Sequence, residues 1–139
     1  MLSQQVQLVL STVSNNVPAL HLMAYAFDPE AVSDCIYLAS MKNTRKVSNM
    51  RANPAVSLLW DNRTGKTTDH TKGVVLTANG VASCLDNAEH KKAFDLLLKR
   101  SPELLALLSS PDAVIIAVSI DRYQWVEGYK TVLEFYPKN

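Results

Sequence analysis

The residues best able to do chemistry stand together at Ser40-Met41-Lys42-Asn43-Thr44-Arg45-Lys46-Val47. An apolar run ends there and a helical pattern begins. The first N–H groups of a helix have no partner inside it. Its N-terminus also carries partial positive charge, so acidic residues belong in the first turn. Here the first turn carries Arg45 and Lys46, with Lys42 just upstream. Each cation at that end costs roughly 0.3–1 kcal/mol, and local rules are often broken at functional sites. Free N–H groups, the Thr44 hydroxyl, a guanidinium and an ammonium together compose a site for a phosphate-type dianion. The same residues also read as a solvated helix end whose cations point at water, and composition alone does not choose between the two.

Other constellations carry less. Four glycines, Gly65, Gly73, Gly80 and Gly128, are too widely spaced for any GxGxxG loop. Gly65-Lys66-Thr67 imitates the end of a P-loop, but the required upstream glycine falls at Trp60 and no apolar helix follows, so it reads as a turn. His21, His70 and His90 are scattered and share no metal-ligand spacing with Cys35 and Cys84, so no metal is expected. Only His70, in a long loop, is considered near a site. There is no GxSxG motif and no serine–histidine pairing, and no residue is assigned as a catalytic acid or base.

Bulk properties narrow the classes. The chain has 139 residues, 47% of them apolar, which is one ordinary domain able to bury a core. A net charge of +1 removes the usual reason to expect nucleic acid or an anionic membrane as partner. The N-terminus lacks a basic region and a continuous apolar run, and no stretch is long enough to span a membrane. The two cysteines read as free thiols, and a cytoplasmic location is the expectation.

The elements that must position these residues follow from periodicity. Val6, Val9, Leu10 and Val13 lie at helical spacing, which predicts an opening helix over 3–14 with Ser3 as N-cap. Extended runs follow at Ala19 to Phe27 and Cys35 to Met41, joined by a turn at Asp28-Pro29. Thr44 to Asn53 is a short helix, N-capped by Thr44 and ended by Pro54. Ala55 to Trp60 is a strand, Asp61 to Lys72 a polar loop long enough to suspect function, and Gly73 to Cys84 a strand bent at Asn79-Gly80. Asp86 and Glu89 form a capping box for a helix whose stripe is Ala93, Phe94, Leu97 and Leu98. After further turns from Glu103 to Leu108, strands are expected at Ala113 to Ile120, Tyr123 to Val126 and Thr131 to Tyr136. About six strands with three or four helices, not strictly alternating, point to α+β: a mainly antiparallel six-stranded split β-barrel with flanking helices, one domain over 1–139.

From Pro18 to about Ser83, the Asp28-Pro29 turn, Thr44-Arg45-Lys46-Val47 and Asn53-Pro54-Ala55-Val56-Ser57-Leu58-Leu59-Trp60 resemble the FMN-binding split β-barrel proteins of the pyridoxamine 5′-phosphate oxidase-like family. The resemblance implies a homodimer with FMN at the subunit interface. Arg45 and Lys46 would hold the phosphate with Thr44 assisting. Ala39 and Ser40 would lie near the flavin ring, and the edge of Leu20 to Ala24 would approach it through backbone groups. Asp61, Asn62 and Arg63 would add contacts, across the dimer. The implied activity is transfer of reducing equivalents from a nicotinamide donor to a small acceptor, and a flavin- or haem-binding carrier or sensor without turnover is the alternative. The oxidase's Arg-x-His pair is missing from Gly128-Tyr129-Lys130-Thr131-Val132-Leu133, and Val74 or Val75 stands where it has a flavin-side glutamine. Vitamin B6 oxidation itself is therefore not expected, and a deazaflavin in place of FMN stays open.

Overall fold

In the computed structural model, which describes residues 1–137, the chain forms seven strands and four helices. The opening segment is a strand, β1 (Gln7–Ser14), and not the expected helix. Leu8, Leu10 and Thr12 point inward and are buried, while Val9, Ser11 and Val13 face outward. Three of its eight residues are β-branched, which suits a pleated surface better than a helix. Asn15 and Asn16 both take positive φ, 51° and 62°, so a two-residue turn joins β1 to β2 (Val17–Phe27) in register from Ser14↔Val17 to Gln7↔Ala24. Asparagine tolerates this left-handed backbone, which makes Asn15-Asn16 the hairpin signal.

β3 (Cys35–Met41), α1 (Arg45–Ala52), β4 (Ala55–Asp61), α2 (Asp69–Lys72), β5 (Val74–Cys84), α3 (Glu89–Arg100), α4 (Leu105–Leu108), β6 (Ala113–Glu127) and β7 (Thr131–Phe135) complete the chain. All strand pairings are antiparallel, in the order β3-β2-β1-β4-β5-β6-β7. Pairing of β3 with β6 closes the first six strands into a barrel. The two late strands expected at Ala113 and Tyr123 are one, and β7 pairs only with its far half. Asn79 pairs with Arg122 and Gly80 with Ile120, so Asp121 is the extra residue of a β-bulge at the expected bend.

Two clusters hold the fold. Inside the barrel, Leu10, Tyr25, Leu38, Leu58, Trp60, Ile116 and Val118 are almost fully buried, and Val47 and Met50 of α1 join them. Burying one such aliphatic side chain contributes about 1.5–3 kcal/mol. Val47 and Met50 together therefore more than offset the two cations in the first turn of α1. On the outside of β2, β3 and β6, Ala26, Tyr37, Ala39, Ile115 and Ala117 are covered by Ala93 and Leu97 of α3 and Leu108 of α4. Phe94 and Leu98, the rest of the expected stripe, are half-buried against the same cluster. The expected capping box is not formed: Asn87 Oδ1 accepts from the Glu89 N–H at 3.0 Å, and Glu89 instead accepts the Tyr37 hydroxyl at 2.7 Å. At the barrel floor, Arg100 donates to the carbonyls of Leu2 and Gln5 and lies 4.6 Å from the Tyr25 ring centroid, tying the N-terminal segment to α3.

Gly80 sits where a side chain has no room. A Cβ there would stand 2.4 Å from the Ser119 carbonyl oxygen, a backbone atom of β6. Gly80→Ala is expected to lower unfolding stability by about 1–3 kcal/mol through forced backbone shifts. Urea denaturation checks this, and an unchanged midpoint would show that the bulge relaxes freely.

Candidate functional site

The candidate site forms because β3 serves two neighbours unequally. Residues 36–38 pair with β2, but Ala39, Ser40 and Met41 pair only with β6. β2 therefore has no strand partner on that side over Val17–Ala24 among the described residues. The chain leaves β3 at Met41 and enters α1 at Arg45, so the first turn of α1 follows directly on the stretch of β3 that has left β2.

Within the turn, Ser40 and Thr44 organise each other. Ser40 Oγ, buried, lies 3.2 Å from Thr44 Oγ1, and both hydroxyls donate to the Met41 carbonyl, at 3.1 and 3.0 Å. Thr44 occupies the N-cap position as expected, with extended backbone, but its side chain caps no helical N–H. Its hydroxyl is turned back into the loop. The first helical bond is Ser48 N–H to the Thr44 carbonyl at 3.1 Å, so the N–H groups of Arg45, Lys46 and Val47 have no protein partner among the described residues. No acidic residue stands in that turn. Lys42 is neutralised by Asp112 at 3.2 Å, whereas Arg45 and Lys46 make no ion pair among the described residues. Three free N–H groups and two unpaired cations fit an anionic group such as a phosphate.

A polar chain that sequence reasoning missed lies beneath α1. Asn49 Nδ2 donates to Thr12 Oγ1 at 3.0 Å, and Thr12 Oγ1 lies 3.1 Å from His21 Nε2. Thr12 and Asn49 are buried. Burial, then the charges of Lys46 and Arg45, hold the His21 pKa below its usual value. His21 is thus within electrostatic reach of the basic turn, although 24 positions separate it from Arg45 in sequence. A polar residue on the inward face of β1 was the available signal, hidden by the helical reading of that segment.

The other expected residues sit differently. Ala39 faces the helix-covered cluster with Ala93 and Leu97, so only its backbone borders the split between β2 and β3. Asp61, Asn62 and Arg63 form the neck of the 61–73 loop. Arg63 pairs with Asp61 at 2.5 Å, and Asn62 Oδ1 accepts the Val74 N–H at 2.7 Å. Asp61 and Arg63 line an outward groove of about 370 Å³ with Val9, Leu22 and Leu59, and that groove includes none of Ser40, Thr44, Arg45 or Lys46. One chain therefore brings Ser40, Thr44, Arg45, Lys46 and His21 together and holds Asp61–Arg63 in a separate place. Leu20 and Leu22, on the outer face of β2, are 72% and 64% exposed. Leu22, Val9 and Leu59 lie in register across β2, β1 and β4. His70 is on α2 and His90 on the first turn of α3, and neither helix packs against α1. Among the described residues no group of three or more His, Cys, Asp or Glu could hold a metal ion, and no helix is long and apolar enough to cross a membrane.

A closed antiparallel barrel with a basic helix N-terminus at its split defines the class: a split β-barrel suited to an anionic ligand. The chain matches the model of the pyridoxamine 5′-phosphate oxidase family over residues 1–126, and it belongs to that family. No curated protein matches it in sequence. Among solved structures it is similar to a heme binding protein from Mycobacterium smegmatis, with a TM-score of 0.84 at 15% identity over 98% of this chain and 55% of that one. It is also similar to HutZ, the heme storage protein of Vibrio cholerae, with a TM-score of 0.74 at 16% identity over 96% and 89% of the two chains. General Stress Protein 26 of Bacillus anthracis gives 0.66 at 23% identity over 96% and 92%. The chain spans about half the length of the M. smegmatis protein. Identities this low carry the fold and no more.

One carboxylate gathers the tip of the 61–73 loop. Asp69 accepts from the Thr64 hydroxyl at 2.7 Å and from the N–H groups of Thr64 and Gly65 at 2.8 and 2.9 Å. The Thr64 hydroxyl, followed by these N–H groups, holds its pKa below the usual carboxylate range. Because the folded pKa is depressed, this anchoring is present above the ordinary aspartate pKa and lost as pH falls through the lower folded value. Asp69→Ala is expected to speed hydrogen exchange at the Thr64 and Gly65 amides at neutral pH. Unchanged protection there would show that the loop is held from elsewhere.

Proposed function

We propose that the chain binds FMN between two copies of itself and passes reducing equivalents from a nicotinamide donor to a small acceptor. The observation that carries this reading is the first turn of α1: free N–H groups and two unpaired cations beside the unpartnered edge of β2. FMN combines a phosphate dianion with a flat, mostly apolar ring bearing polar edges. The phosphate suits the turn, and the ring edge suits the exposed backbone groups of Leu20 to Ala24. FMN supplies the two-electron chemistry, and the protein supplies anchoring, ring burial and hydrogen bonds.

The second copy follows from the outer face. Leu20, Leu22, Val9 and Leu59 make an apolar patch on β2, β1 and β4, and such patches mark interaction surfaces. Asp61 and Arg63 line the adjoining groove. In the dimer they would approach the partner's ligand, which would account for their standing apart from Arg45 and Lys46 in one chain. Leu22→Lys is expected to convert a dimer into a monomer in sedimentation experiments, and a variant that stays dimeric would place the interface elsewhere.

Haem binding without turnover is the second reading, supported by the likeness to the M. smegmatis and V. cholerae proteins. Against it, His21 is the histidine nearest the basic turn, and its Nε2 is already engaged with Thr12. His70 and His90 remain as iron ligands for that reading. The absorption spectrum of the purified protein with each added cofactor separates the two: flavin bands support FMN, and a Soret band with no flavin uptake supports haem. Replacing Arg45 and Lys46 together by Ala is expected to weaken FMN binding by about a hundredfold or more, since each charge-assisted contact contributes about 1.5–3 kcal/mol. Unchanged affinity in that variant would reject the phosphate assignment.

A further inference from the structure

We infer that His21 is a neutral donor locked in its Nδ1–H tautomer by Thr12 and Asn49, and that it adds a hydrogen bond to the phosphate group held by Arg45 and Lys46. The inference rests on the proposed anion site and adds to it a residue that the basic turn does not contain. The reasoning is a proton count along a buried chain. The Asn49 amide nitrogen can only donate, so Thr12 Oγ1 accepts from it at 3.0 Å. Thr12 is buried, and among the described residues its own hydroxyl proton has one acceptor left, His21 Nε2 at 3.1 Å. A buried hydroxyl proton without an acceptor is costly, so Thr12 donates to Nε2. That nitrogen is then an acceptor, and the ring proton sits on Nδ1. Nδ1 has no protein partner among the described residues, which leaves its N–H free for a ligand.

The charge state follows from the same chain. A protonated His21 would present Nε2–H to Thr12 and strip the threonine proton of its acceptor. Burial and the neighbouring cations of Lys46 and Arg45 oppose the imidazolium as well. Against a phosphate dianion already facing two cations, a neutral N–H adds direction without a third charge. Position matters too: His21 lies on the stretch of β2 that β3 has left, and its hydrogen-bond chain ends on Asn49 of the helix that carries Arg45 and Lys46.

Two substitutions separate the ring nitrogens. Asparagine places an amide nitrogen three bonds from Cα, where Nδ1 stands, and glutamine places one four bonds away, where Nε2 stands. His21→Asn is expected to keep FMN affinity within about threefold, whereas His21→Gln is expected to lose about tenfold, the equivalent of one hydrogen bond. Equal affinities for the two variants would overturn the proposal. Imidazole nitrogen NMR on the ligand-free wild type, with His21 assigned by the Asn variant, is expected to report the Nδ1–H tautomer at neutral pH and its loss in Thr12→Val. An Nε2–H tautomer in the wild type would overturn the proposal whatever the affinities. If the wild type takes up no FMN, the flavin reading fails separately, and inorganic phosphate becomes the probe. A shift of the His21 Nδ1 resonance on adding phosphate then upholds the donor role, and no shift ends it.

Discussion

One topological feature shapes the molecule: β3 closes the barrel against β6 but leaves β2 after Leu38. It pairs with β2 for three residues and with β6 for its whole length. The β3–β6 contact is continuous and seals two apolar clusters, one on each face of β3. The consequence is an unpaired stretch of β2. An open strand edge is normally a hazard, since its N–H and C=O groups invite further pairing. Here the first turn of α1 lies directly after the divergent end of β3. The unmet hydrogen bonds of a strand edge and of a helix start therefore belong to the same part of the fold.

The electrostatics of that place are the reverse of what the helix alone would favour. Arg45 and Lys46 add positive charge to an already positive helix end, and Lys42 escapes the conflict by pairing with Asp112. The local cost is small against the burial of Val47 and Met50 in the barrel mouth. Packing thus sets the helix where it is, and charge is free to serve binding. The buried Asn49–Thr12–His21 chain belongs to the same division of labour. Asn49 shares a helix with both cations, so the element that brings the charges also fixes the imidazole.

Much of this was legible in the residues. Cys35 to Met41 was readable as a short continuous apolar run, and Thr44 to Asn53 and Ala55 to Trp60 because Pro54 separates a helical pattern from an extended one. The bend at Asn79-Gly80 was readable from glycine alone, and the backbone contact with Ser119 gives its cause. β1 was not readable by period. Its outward Val9 and Val13 are as apolar as its inward Leu8 and Leu10, which erases the alternation and leaves a false helical spacing. Ala113–Glu127 read as two strands because the bulge at Asp121 shifts the pattern midway. The basic turn was visible as a broken rule. His21 was not, because its significance lies in pairings that only the β1–β2 register and α1 create.

The misreading of β1 and the apolar row on the outer face of β1, β2 and β4 have the same physical origin. A strand that is apolar on both faces is buried on both faces or lies at an interface. Leu8 and Leu10 are inside the barrel, so Val9, with Leu22 and Leu59 in register beside it, forms the outer apolar row that the proposed second copy would cover. The free edge of β2 adjoins that same apolar row. A second copy laid over it would bury the row and enclose the split together. The groove with Asp61 and Arg63 opens on the outer face beside Leu22, where a partner's ligand would meet it. In that arrangement Arg63 keeps its carboxylate partner within its own chain, so what it offers across the interface is a guanidinium already oriented by Asp61.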